Sequence, residues 1–171
     1  MPVLIEKDSH QEFRLFLTYE DREQLERLAV QEVGWRPGRQ GSGYFKLDIK
    51  EYTTYDTLPW LKILMGRVRG ELEIEPGEDW DAWLLYYPEG SFIPEHVDPV
   101  PAGFRMHRFN AVIENPISGG EFFIDDEEVS LTEGDAVLFQ PSWTWHSVEE
   151  IEVGRRLVFS VGVLKKYEII G

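Results

Sequence analysis

Hydrophobic positions along the chain follow two periods. Leu25, Leu28, Ala29 and Val33 recur at helical spacing with charges between them, which predicts an amphipathic helix packed on a sheet. Thr18 or Asp21 caps its start, and Gly34 with Pro37-Gly38 ends it. A second helix is predicted from about Thr57, with Pro59 in its first turn, through Trp60-Leu61-Lys62-Ile63-Leu64-Met65 toward Arg69, with Gly70 as its stop. Elsewhere the signal is that of short strands, at residues 13–17, 72–74, 80–87, 106–115, 121–124, 136–139 and 156–164. Composition makes loops of 36–44, 75–79 and 99–103, and turns of 118–120, 133–135 and 149–154; residues 165–171 read as a short tail. Short strands at this spacing, separated by Gly and Asp turns, indicate an all-β sandwich or barrel with flanking helices.

Composition narrows the class. The 171 residues suffice for one domain with a real core, and 42% apolar with 13% aromatic content argues against disorder. No apolar run is long enough to span a membrane, and residues 1–7 lack the features of a signal peptide. There is no Cys, so disulfides are excluded, and a cytoplasmic location is expected. A formal charge of -15 repels phosphate backbones and anionic membranes, so neither nucleic acid nor membrane is an expected partner. The acidic runs at 71–75 and 125–128 read as solvated turns and strand edges.

The chemistry gathers in Tyr87-Pro88-Glu89-Gly90-Ser91-Phe92-Ile93-Pro94-Glu95-His96-Val97-Asp98. His96 and Asp98 stand two apart, so on a strand they share a face. A neighbouring strand can bring His146 as a third donor. Two imidazoles and one carboxylate leave three positions of an octahedral ion open, which suits non-haem Fe(II) handling O2. Arg156 follows ten residues after His146 and shares a strand face with Val158 and Ser160. A buried Arg must be paired, and a guanidinium behind a metal site suits a bidentate carboxylate.

These residues carry a resemblance. The pattern Tyr87…Gly90…Phe92…His96-x-Asp98, then Gly119-Gly120-Glu121, then Gly134-Asp135-Ala136-Val137-Leu138-Phe139, closing with His146-Ser147-Val148 and Gly154-x-Arg156, resembles the iron(II)/2-oxoglutarate-dependent oxygenases, in particular their prolyl-hydroxylase-like branch. It covers residues 83–164, about half the chain. The resemblance implies a double-stranded β-helix (a jelly roll, cupin-like) braced by two N-terminal helices. Residues 1–75 would supply helical support and outer strands, and 80–165 the catalytic double-stranded β-helix, in a single domain. It assigns His96, Asp98 and His146 to iron, and Arg156 to the distal carboxylate of 2-oxoglutarate. Tyr87 is placed at the co-substrate pocket, and Ser160 beside it. Arg108 and Asn110 are candidates to contact substrate or co-substrate, and Trp145 to contact substrate. On one alternation His107 faces away from Arg108 and reads as a surface or substrate-contacting residue.

The implied activity is a hydroxylase using Fe(II), 2-oxoglutarate and O2, with ascorbate as a possible reductant. It would act on an unactivated C–H bond of a peptide or protein residue such as proline. The rival within the enzyme class is a free amino acid or small biosynthetic intermediate. The rival outside it is a cupin-like metal and 2-oxoglutarate sensor without turnover. Asp98 favours hydroxylation, because related halogenases carry a small residue there. Two features depart from the pattern: some branches carry Arg-x-Ser where Ser160 lies four residues after Arg156, and collagen-type enzymes use Lys in place of Arg156. No further Arg falls between Leu157 and Leu164, unlike the DNA-repair oxygenases.

Overall fold

The computed structural model of the chain describes residues 2–167. Its strands are β1 (Val3–Glu6), β2 (His10–Arg14), β3 (Arg36–Pro37), β4 (Phe45–Asp48), β5 (Trp80–Tyr87), β6 (Ile93–His96), β7 (Phe104–Glu114), β8 (Ser118–Gly119), β9 (Phe122–Ile124), β10 (Glu127–Glu128), β11 (Ala136–Phe139), β12 (His146–Val148), β13 (Ile151–Val153) and β14 (Arg156–Lys166). Two α-helices, α1 (Tyr19–Gln31) and α2 (Pro59–Leu72), and a short 3-10 turn at Glu51–Thr54 join them. An eight-stranded sheet runs β1-β2-β11-β7-β14-β5-β4-β3, and a four-stranded sheet runs β10-β9-β12-β6. The pair is the jelly roll expected from the sequence, with the long strands β7 and β14 at its centre.

Alternation decides what each face of the large sheet does. Phe109, Ala111, Ile113, Phe159 and Val161 point to the helices and form the main core with Leu25, Leu28, Leu61, Leu64 and Val68. Val137 and Phe139 point the other way, toward Phe122, Ile124 and Val148 of the small sheet. A polar row shares this inner side: Asp81 pairs Gly162, Gly162 pairs Arg108, and Arg108 pairs Phe139 across neighbouring strands. The space between the sheets is therefore half apolar floor and half polar cleft.

Several elements differ from the sequence reading. Thr18 and Asp21 together form a reciprocal cap on α1 rather than one alone. The helix stops at Gln31 because Glu32 turns extended, so Val33 lies outside the stripe and is 93% exposed. The second helix passes through Gly70 to the buried Leu72 and ends on Glu73 in the left-handed conformation. Residues 72–74 are thus a helix end and not a strand. The strand expected at 13–17 is β2, His10–Arg14, since Leu15 adopts φ 56 and breaks the extended run. Residues 149–154 are more than a turn, because β13 pairs with β8 there. Likewise, 165 and 166 continue β14, while the rest of the expected tail, 168–171, lies outside the described residues.

A candidate metal and carboxylate site

His96 ends β6 and His146 begins β12, and the two are direct cross-strand partners. Asp98 follows on the outgoing loop, tied down by its N–H donating to the Pro141 carbonyl at 2.8 Å. The three offer donor atoms that all lie within 4.8 Å of one another. Asp98 Oδ1 is 3.0 Å from His96 Nε2 and 3.6 Å from His146 Nε2. Neighbouring ligands of an octahedral ion with bonds of about 2.1 Å stand about 3 Å apart, so the spacing fits a divalent metal.

The backbone orients both rings. His96 Nδ1 lies 2.7 Å from the Pro94 carbonyl and His146 Nδ1 lies 3.1 Å from the Thr144 carbonyl. A carbonyl only accepts, so each Nδ1 carries the proton and each Nε2 presents a lone pair. Lone pairs of imidazole and carboxylate then converge on one point, which only a cation relieves. Burial lowers the His146 imidazole below its ordinary range, against the Thr144 carbonyl and Asp98, and so favours the neutral ligand form. Burial works to raise the Asp98 carboxyl, but the neighbouring His96 and His146 imidazoles outweigh it and hold the carboxyl below the ordinary range.

The cleft beside this cluster has a volume of about 230 Å³. Arg156 closes its far end. The guanidinium is buried, yet among the described residues its only hydrogen bond is a long one of 3.4 Å to the Gly120 carbonyl, and Nε has no partner. No carboxylate among the described residues meets it; instead the Tyr87 and Phe122 rings lie 5.7 and 5.8 Å away. Among the described residues the partner that a buried guanidinium needs is absent, which leaves it for a ligand. Burial pulls the Arg156 guanidinium down, with Tyr87 opposing, and pushes the Tyr87 hydroxyl up. Tyr87 is itself buried and stacked on Tyr44, with centroids 5.0 Å apart.

The other candidates are placed as follows. Arg108 and Asn110 face the cleft, while His107 sits on the opposite face near Lys165 and Glu78. Arg108 grips Asp81 through two hydrogen bonds of 2.9 Å. It also donates to the Ser160 hydroxyl at 3.0 Å, which occupies that side chain. A Cβ at Gly162 would stand 2.4 Å from Arg108 Nη2, so the glycine makes room for this grip. Trp145 is 53% exposed and lines a shallow depression with Glu95 and Phe123 that adjoins the cleft through His146 and Ser147. Lys46 and Trp83, which the sequence reading did not assign, also line the cleft, as does Arg39 from the loop at 36–44. Alternation around Trp83 was the available signal; that Lys46 lies on a strand beside it was not apparent.

Fold and site together define a double-stranded β-helix holding a His-x-Asp…His cluster beside an unpaired buried arginine. The chain has the fold of iron/2-oxoglutarate-dependent oxygenases, as comparison with solved structures shows. It is similar to a Pseudomonas putida prolyl-4-hydroxylase, at 19% identity and TM-score 0.65, covering 94% of each chain. It is similar to a prolyl hydroxylase from Trichoplax adhaerens in complex with a hypoxia inducible factor oxygen degradation domain peptide fragment, at 14% identity and TM-score 0.73, covering 92% of this chain and 84% of that one. It is also similar to the non-heme alpha ketoglutarate dependent epimerase SnoN from nogalamycin biosynthesis, at 14% identity and TM-score 0.69, covering 92% and 79%. No protein-family model matches the sequence, and no curated protein matches it.

Proposed function

We propose that the protein is an Fe(II)- and 2-oxoglutarate-dependent dioxygenase that hydroxylates an unactivated C–H bond of a peptide or protein residue such as proline. The observation that carries this reading is Arg156: a buried guanidinium without a carboxylate, in the same cleft as His96, Asp98 and His146. Leaving such a charge unpaired costs several kcal/mol, on the order of 3–5 by analogy with broken buried pairs. A ligand carboxylate removes that cost. A second carboxylate or keto-acid end of the same ligand would reach the metal cluster, which describes a small dicarboxylate such as 2-oxoglutarate.

His96, Asp98 and His146 would hold the metal on one side and leave the opposite side open. Bound there, iron with 2-oxoglutarate and O2 supplies the oxidising chemistry. The chain's own work is placement. The two backbone carbonyls keep both imidazoles neutral and aimed. Arg156 would anchor the co-substrate's far carboxylate, with Tyr87 packed beneath it. Phe122, Phe139 and Val148 dry the floor, and Phe139 rests against the His146 ring, with centroids 5.4 Å apart. A dry wall strengthens the charge contacts and keeps water from competing.

A second reading stays within the class: a free amino acid or small biosynthetic intermediate as substrate. The similarity to the epimerase SnoN, whose TM-score of 0.69 falls between the 0.65 and 0.73 of the two prolyl hydroxylases, supports it. Anaerobic titration with Fe(II) and 2-oxoglutarate, followed by its visible charge-transfer band, tests the site; succinate release separates an enzyme from a sensor. Mass spectrometry of peptides and amino acids for a gain of one oxygen decides between substrates. His146→Ala should abolish turnover with an unchanged circular dichroism spectrum, and activity retained in that variant would refute the metal assignment.

A further inference from the structure

The site as read accounts for His96, Asp98, His146 and Arg156 but leaves positive charge over. The molecule carries a formal charge of -15, yet the cleft wall reverses that sign. Arg39, Lys46, Arg108 and Arg156 line it, against Asp98 as its carboxylate. Asp98 belongs to the metal cluster, and Arg108 is matched by Asp81. Arg156 is matched by the co-substrate. Arg39 and Lys46 remain, and among the described residues no carboxylate pairs with either.

Their position is specific. Lys46 pairs with Leu85 across β4 and β5, and Leu85 pairs with Val158 of β14, so Lys46 stands on the same inner face two strands from the β14 wall. Its ammonium lies 4.7 Å from the Trp83 ring centroid, and Arg36 lies 5.1 Å from the same ring. The indole thereby gathers cations at the mouth without neutralising them. Deeper in the cleft, the Asn110 amide oxygen is buried with no donor. A ligand that runs from the mouth inward would meet cations first and an unsatisfied acceptor next. The cleft volume of about 230 Å³ lies below the usual range for pockets that enclose a whole small ligand, roughly 300–1,000 Å³. With a co-substrate inside, the bulk of any substrate must rest at that cationic mouth.

We propose that the substrate carries an anionic group, a carboxylate or a phosphate, which Lys46 and Arg39 hold at the cleft mouth while the reacting carbon reaches the metal cluster. This deepens the dioxygenase reading and rests on it. It also explains how a strongly acidic protein admits an anion: the local field, not the net charge, decides at the short range left by screening.

The test uses the full chain loaded with Mn(II) and 2-oxoglutarate, so that binding is read without turnover. Calorimetry compares proline-containing peptides of one length that carry two glutamates, two phosphoserines, two glutamines or two lysines. Free glutamate and free phosphoserine form separate arms that distinguish a small-molecule source from a peptide one. The expected result is that at least one anionic probe binds about tenfold or more tighter than the glutamine peptide, and that 0.5 M salt (roughly a 4 Å screening length) removes most of the difference. Lys46→Glu with Arg39→Glu should reverse the order in favour of the lysine peptide. Lys46→Gln with Arg39→Gln, which keeps size and removes charge, should level it even if the first pair misfolds. Equal affinity for acidic and neutral probes, no binding of any anionic probe, or a preference that survives charge removal would overturn the proposal. Failure of wild-type protein to bind Fe(II) and 2-oxoglutarate in the visible titration would instead sink the dioxygenase reading, so the two failures are separable.

Discussion

Arg156 separates stability from binding in a way that a residue chosen for packing would not. Arg156→Met keeps the length and removes the charge. Without ligand, the variant should melt at the same temperature or higher, because an apolar side chain replaces an uncompensated buried cation. Its affinity for 2-oxoglutarate should fall about a hundredfold, the equivalent of about 3 kcal/mol of charge-assisted hydrogen bonding. Thermal melts of apo protein and the visible-band titration read the two effects, and a variant that loses stability without losing affinity contradicts the assignment. The metal cluster was legible at this scale because the two-residue spacing of His96 and Asp98 needs only a strand to put them on one face. Arg156 reads from the sequence as the anchor of a ligand carboxylate; that no carboxylate among the described residues meets it is a long-range fact that only the fold displays.

At the scale of elements, two joints outside the cleft bear on it. The first is the clamp between β2 and the turn before β11. Asp135, 1% exposed, accepts from Arg14, from the Leu15 N–H and from both the N–H and hydroxyl of Thr132. These contacts hold Leu15 at its positive φ. Burial works to raise the Asp135 carboxyl, but the Leu15 and Arg14 hydrogen bonds outweigh it and keep it below the ordinary range. The stabilisation is therefore fully present above the ordinary carboxylate value, about pH 4, and is lost as pH falls below it through the lowered folded value. Asp135→Asn should cost about 1–3 kcal/mol at neutral pH and flatten that acid loss, as urea midpoints between pH 7 and 3 will register. The second joint is β8 against β13. Gly119 has φ 78, and a Cβ there would stand 2.2 Å from the Glu150 carbonyl oxygen. Gly119→Ala should destabilise by about 2 kcal/mol or more and weaken 2-oxoglutarate binding, since the next carbonyl, Gly120, is the one Arg156 touches. Denaturant curves and the same titration check both. Strands with apolar alternation were readable: residues 80–87 match β5 at both ends. β4 was not, because its four residues bury only Leu47 and follow a loop rich in Arg and Gly. β1 was missed for a similar reason, since its edge position leaves it with no buried residue. Gly70 was misread as a stop because buried Leu72 carries the helix past it.

For the molecule as a whole, the fold should be partly ligand-held. Mn(II) and 2-oxoglutarate, each near a hundred times its dissociation constant, add about 2.7 kcal/mol apiece, or roughly 5–10 °C in melting temperature for a domain of this size. Differential scanning calorimetry should find both increments in the wild type and only the metal's in Arg156→Met. Class and architecture were legible at this scale because many short strands, two helices and one spaced set of ligands all pointed to the same jelly roll. The reversal of charge between surface and cleft was not legible, since the total of -15 conceals where each sign goes. One further consequence follows from how the imidazoles are paired. β6 is the outermost strand of the small sheet, four residues long, and its ladder to β12 contains an irregularity. An ion bound between His96 and His146 would act there as a rivet through the rim of the fold. Chelating buffers would pull it out, free the rim to fray, and offer the bare amides of β12 to the next copy of the chain. Protein dialysed against a chelator should therefore scatter more light on standing than protein kept with Mn(II), so the choice of buffer decides whether the preparation stays in solution.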